Sequence, residues 1–339
     1  MSISHLIAQA RSLDLTASPE QRRVTQRVLE PRLPAVTSRL AALRAEVDAS
    51  HADRIQAAAS SDSAHSGAYG EINWARYPIG FCRHIRDAVK ERLPRDPIFQ
   101  ELLAAGVVIK PVFIFLQGSY FQNALQIGNY YVDVANDTVF PEKPKLEWAP
   151  IDEVDFENVE TWPRFATVAE TYLKVALYPN TLFPLAFPAA PFLAVRSNGR
   201  IDLLVSQHQI ALKDLGDDLR RTRTLLDDPV LMERRLPEPY RALLEHKLGG
   251  NLFAQFPLEF APSTIDDIRD RIVPEFQQLL HQPDAKAFPV ITEYFKLVER
   301  ASHQLRRYDL RPSPAELNSL RDQGELPPAS ASPAHWSLD

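Results

Sequence analysis

Apolar residues at the start of the chain recur at helical intervals. Leu33, Val36, Leu40, Leu43 and Val47 alternate steps of three and four, which lines one helix face with hydrocarbon. Two heptads fall short of a coiled coil, so residues 1–57 read as an amino-terminal helical region that packs on the main domain or docks a partner protein. The pattern then fades in "AAASSDSAHSGAYG" (57–70), whose small polar residues have little to bury; 58–70 reads as a linker. In "GFCRHIRDAVKERL" (80–93), Ile85, Val89 and Leu93 fall four apart behind Pro78 and Gly80, which predicts a helix. "VVIKPVFIFLQ" (107–117) is β-branched and aromatic and predicts a strand, with Pro111 favouring an edge position.

The next stretch, "FQNALQIGNYYVDVAND" (121–137), predicts two short strands joined at Gly128-Asn129, with Asp133 in the middle of the second. A two-residue loop there sets Ile127 opposite Tyr130, Gln126 opposite Tyr131, Leu125 opposite Val132 and Ala124 opposite Asp133. Side chains alternate, so Gln122, Ala124 and Gln126 share a face with Tyr131 and Asp133. Leu125, Ile127, Val132 and Val134 take the opposite, apolar face. Asp133 then has Gln122 and Gln126 as diagonal neighbours.

Beyond the hairpin, "LFPLAFPAAPFLAV" (182–195) reads as a buried extended segment leading into a strand. "FLAVRSNGRIDLLV" (192–205) predicts a second hairpin turning at Asn198-Gly199. After about 207 the pattern is helical. Ser263 or Thr264 caps a helix that buries Ile265, Ile268, Ile272, Phe276 and Leu279, and another helix runs from about 287 to 305. The acidic stretch 151–160 reads as a solvated face, and 311–339 as a largely disordered tail. The main domain is thus 71–310, and the fold class is α+β, a small antiparallel sheet surrounded by many helices.

Composition narrows the function classes. A net charge of −6 leaves no basic footprint for nucleic acid or anionic lipid, and the most apolar run is short and broken by prolines, so neither nucleic acid nor a membrane is expected as a partner. The amino terminus has neither a basic start nor a sustained apolar stretch, and a cytoplasmic location is expected; its Ser/Ala-rich character also fits export by a specialised secretion system without a cleaved signal. Gly-rich phosphate loops and metal-ligand spacings are absent, and no cofactor or metal is expected. With one cysteine among 339 residues, no internal disulfide can form.

That cysteine, Cys82, falls in the first turn of the 80–93 helix, where unsatisfied N–H groups and the helix dipole favour a thiolate. A lone cysteine more commonly serves as a small buried hydrophobe. The order of elements around it, a Gly-x-Cys helix followed by three strands with Asp133 on the third, resembles papain-like cysteine enzymes of the transglutaminase-like type over residues 71–140. The resemblance implies a papain-like core, Cys82 as nucleophile, a histidine base on the second strand and Asp133 orienting it. Gln122 stands where the family has that histidine, and an amide takes no proton from a thiol. Three readings stay open: a relic that binds, a Gln122 that polarises a carbonyl, or a site completed by a histidine from elsewhere. For the last role His208 is the candidate; His84 turns to another side of the helix. The sequence therefore predicts a cysteine-dependent acyl-transfer or amide-hydrolysing enzyme or a degenerate derivative of one, acting on a protein or peptide. The alternative is a non-catalytic scaffold that docks a partner through the Leu33–Val47 face.

Overall fold

The computed structural model describes residues 2–60, 74–204, 208–249, 256–308 and 310–327. It is a mixed α+β structure with two small antiparallel sheets among many helices. The first sheet has five strands: β1 (Ile109–Leu116), β2 (Tyr120–Ile127), β3 (Tyr130–Asp133), β4 (Glu147–Pro150) and β5 (Phe156–Asn158), in the order β4-β3-β2-β1-β5. The second is β6 (Val175–Pro179), β7 (Phe192–Arg196) and β8 (Ile201–Leu203), in chain order.

The β2–β3 hairpin has the register that the Gly-Asn turn dictates, with Ile127 opposite Tyr130, Gln126 opposite Tyr131 and Leu125 opposite Val132. Gly128 has φ +60°, a left-handed conformation that side chains disfavour. A Cβ there would lie 2.3 Å from Thr25 Oγ1, and that same hydroxyl accepts the Asn129 N–H at 2.8 Å. The amino-terminal segment therefore buttresses the turn directly. Asp133 closes β3 instead of standing mid-strand, and its partner is Glu147 on β4. Pro111 is tolerated because β5 pairs with β1 only at Ile114–Leu116, which among the described residues leaves no strand on the second side of Pro111.

Sequence alternation gives the sheet two unlike faces, and helices cover the apolar one. The Cys82–Arg92 helix buries Ile85 and Val89, and the 3-10 turn after it Leu93, against Leu125, Ile127, Val132 and Val134. The Leu33–Ser50 helix adds Val36, Leu40, Leu43 and Val47 to that cluster. The Trp162–Leu173 helix packs on Phe115 and Phe121 at the other end of the face. The opposite face carries only a small apolar cluster, in which Val112, Ile114, Ala124 and Tyr131 meet Leu15 and Ile151.

Several expectations are revised here. The Leu33–Val47 face is not a docking surface: Val36, Leu40 and Val47 are wholly buried within the chain itself, because that stripe is the natural cover for the exposed side of the Cys82 helix. Residues 314–322 form a helix, not a disordered tail; Ser313 and Glu316 make a reciprocal capping box, and Leu317 and Leu320 are buried. The 182–195 run is buried apart from the exposed Leu185, and it folds through a 3-10 turn at Pro184–Ala186 before the strand begins at Phe192, since closely spaced prolines favour turns over extension. Within 151–160, β5 joins the sheet and Ile151 and Val159 are buried, so this stretch is not one solvated face. Of the linker, 58–60 continue the Ala52–Ser60 helix, and 61–70 lie outside the described residues.

Candidate functional site

Cys82 is the first residue of its helix, with Phe81 as the preceding cap. Its sulfur accepts a hydrogen bond from Asn123 Nδ2 at 3.4 Å. Asn123 stands on the helix-covered face of β2, so the thiol looks into that apolar layer. Burial pushes its pKa up and the Asp133 charge adds to the rise; the Asn123 amide, the Arg86 guanidinium and the Arg83 N–H oppose it without cancelling it. None of these dominant influences is an imidazole.

Gln122 and Asp133 do come together, on the other face. Gln122 Nε2 donates to Asp133 Oδ2, the Ala135 N–H donates to Oδ1 at 2.8 Å, and the Tyr131 hydroxyl approaches Oδ2 at 3.5 Å. Gln126, the other diagonal neighbour, turns away and clamps the backbone of Thr16 through both its amide atoms. The sulfur and the carboxylate therefore bond to residues on opposite faces of β2, and Cys82 is not among the residues that line the cleft at Asp133. The reason is geometric: Gln122 and Asn123 are adjacent on one strand and must point apart. A signal for this was present in the sequence, because a helix with the stripe Ile85, Val89 and Leu93 has to cover the Leu125–Ile127 face, which is also the face of Asn123. His208 opens the His208–Leu215 helix, which packs against the Ile3–Ser12 helix; its side chain lies outside the described residues.

On the Asp133 side a cleft of about 200 Å³ opens. Asp133, Gln122 and Tyr131 form its floor, Tyr120 and Phe140 contribute aromatic walls, and Glu147, Glu153, Asp155 and Lys143 stand around it. Asp133 is 3% exposed. Burial raises its pKa to about 7; the Ala135 N–H pulls the value down, Glu147 and Asp137 push it up, and Arg44 pulls it down. The same burial raises the Tyr131 hydroxyl well above its usual range.

Arg44, unremarked in the sequence, secures this region from below. It is 1% exposed on the Leu33–Ser50 helix and donates to Asp137 through two nitrogens (2.8 and 3.1 Å), to the Val134 carbonyl and to Asp48. Tyr77 and Lys145 also bond Asp48; burial works against that carboxylate, yet these bonds hold its pKa below the ordinary value. Asp137 is thus an ion-pair partner that anchors the chain leaving β3. Among the described residues no three His, Cys, Asp or Glu side chains are grouped to hold a metal ion. No helix among them is long and apolar enough to cross a membrane.

Comparisons of the chain with protein-family models, with curated proteins and with solved structures give no match.

Proposed function

We propose that this protein works by binding, through the cleft above Asp133, and that Cys82 is a packing residue and not a nucleophile. In the terms of the sequence resemblance, it would be a degenerate, non-catalytic relative of the papain-like layout that presents a recognition cleft to a protein, peptide or small-molecule partner. The observation that carries this reading is the split between the two faces. The thiol is half-buried with a raised pKa, paired with an amide and on the other face of the strand from the carboxylate that would orient a base. Asp133 is instead bonded to Gln122 at the floor of a concave, partly aromatic space, the kind of site that holds a ligand through a few convergent polar groups.

Two measurements test it. Incubation with a small acyl thioester followed by intact-mass analysis should give no acyl adduct on Cys82, and a stoichiometric adduct would sink the reading. In a thermal-shift screen of charged and neutral small molecules, ligands that stabilise wild type should also stabilise Cys82→Ala. They should fail with Ala149→Phe, which fills the cleft.

A further inference from the structure

Resting on that reading of the cleft, we propose that its occupant is an organic cation, the guanidinium or ammonium group of a basic side chain or small amine.

The rim carries three carboxylates against the single ammonium of Lys143, an excess of negative charge. Among the described residues, no ion pair reaches Glu147, Glu153 or Asp155, although all three are exposed around the same cavity. Their immediate neighbours differ: Asp152 is taken by Arg22 at 2.8 Å, and Glu157 by Arg164 through two nitrogens. A low-dielectric concavity with three rim carboxylates against one ammonium has a net negative field that is concentrated on whatever enters. The carboxylates do not converge as a metal site would, so the arrangement suits an organic cation better than a bare metal ion.

The aromatic wall adds a second, independent cue. Phe140 is 45% exposed at the cleft, unusual for a large apolar ring, and the Lys143 ammonium already lies 5.3 Å from its centroid. The chain's own lysine thus shows that this ring face accepts a cation. An incoming cation would stack on the ring beside Lys143 or displace it.

The floor makes occupancy proton-linked. Facing Asp133 are Glu147 from β4, Asp137 after β3, Arg44 from the Leu33–Ser50 helix and the Tyr131 hydroxyl, with Cys82 beyond the sheet. A positive charge in the cleft favours the ionised carboxyl, so binding releases a proton and tightens as pH rises.

The test is calorimetry on the full chain with N-acetyl-arginine amide and N-acetyl-lysine amide, a short arginine-containing peptide separating a peptide source from a free amine. N-acetyl-citrulline amide serves as the neutral isostere. Binding of the cations should be up to about tenfold tighter at pH 8 than at pH 6, the ratio set by one group titrating near 7, with proton release visible as a buffer-dependent enthalpy. Glu147→Gln with Glu153→Gln, both exposed and so harmless to folding, should weaken binding at least several-fold. Asp133→Asn should flatten the pH dependence while leaving a binding isotherm. Equal binding of the citrulline isostere, or no binding of either cation, would overturn the assignment; the first result would leave the binding function standing, whereas an acyl adduct on Cys82 would remove that function itself.

Discussion

Asn123 donates to the sulfur of Cys82 at 3.4 Å, and this contact places the protein's one thiol on the helix-covered side of the sheet, behind the strand from Asp133. A single residue of register separates the two arrangements. Had Gln122 faced the thiol, the carboxylate would have followed it there.

The first consequence concerns thiol reactivity. Because burial raises the Cys82 pKa, the pH midpoint of its alkylation by iodoacetamide should lie above the ordinary thiol value of about 8.5. Asn123→Leu should move the midpoint higher still, since the amide hydrogen bond favours the thiolate. A midpoint below 7 would mark an activated nucleophile.

Asp133 should leave a signature in stability against pH. Its folded-state pKa is about 7 against an ordinary 3.8, so the folded state holds the proton more tightly than the unfolded chain. The contribution is fully present below about pH 4 and is lost as pH rises through 7. Its span is on the order of 4 kcal/mol, from about three pKa shifts of 1.36 kcal/mol each. Asp133→Asn carries no titrating proton, so relative to wild type it should gain stability between pH 4 and pH 8. Urea denaturation of both proteins at the two pH values measures the difference, and parallel profiles would contradict it.

Arg44 is a buried charge with several acceptors. Arg44→Met strands the Asp137 carboxylate and the Val134 carbonyl, and should cost about 3 to 5 kcal/mol of unfolding free energy. Adding Asp137→Asn should recover part of the loss, because the unpaired charge is what makes the single change expensive. Denaturant midpoints of the three variants decide the point.

At the hairpin turn, Gly128→Ala forces a side chain into a left-handed conformation and against Thr25 Oγ1. Strain of about 1–2 kcal/mol and a lost hydrogen bond of about 1 kcal/mol predict a total near 2–3 kcal/mol. In the Thr25→Ala background the penalty should shrink by about 1 kcal/mol, since the hydroxyl is already gone. Strict additivity of the two changes would show that the turn and the amino-terminal segment are not coupled.

Much of the local structure is legible in the residues alone. The Gly-Asn turn sets a register because a two-residue loop leaves no freedom in pairing, and the alternation of Leu125 and Ile127 with Ala124 and Gln126 assigns each to a face. The stripe of Ile85, Val89 and Leu93 marks a helix by the same kind of period. The short capped helix at 314–322 was equally present as Ser-Pro-x-Glu, but a polar composition around it masked the signal.

The sequence by itself determined these elements, the hairpin register, the α+β class and the meeting of Gln122 with Asp133, because each follows from spacing within a few residues. Only the tertiary structure decided which face the helices would cover, and with it the separation of Cys82 from Asp133. It also decided that Arg44 pairs with Asp137 across 93 residues, and that Asp133 is dry enough to titrate near neutrality. Those outcomes depend on packing and desolvation, which sum over groups far apart in the chain and leave no imprint on the spacing of any one segment.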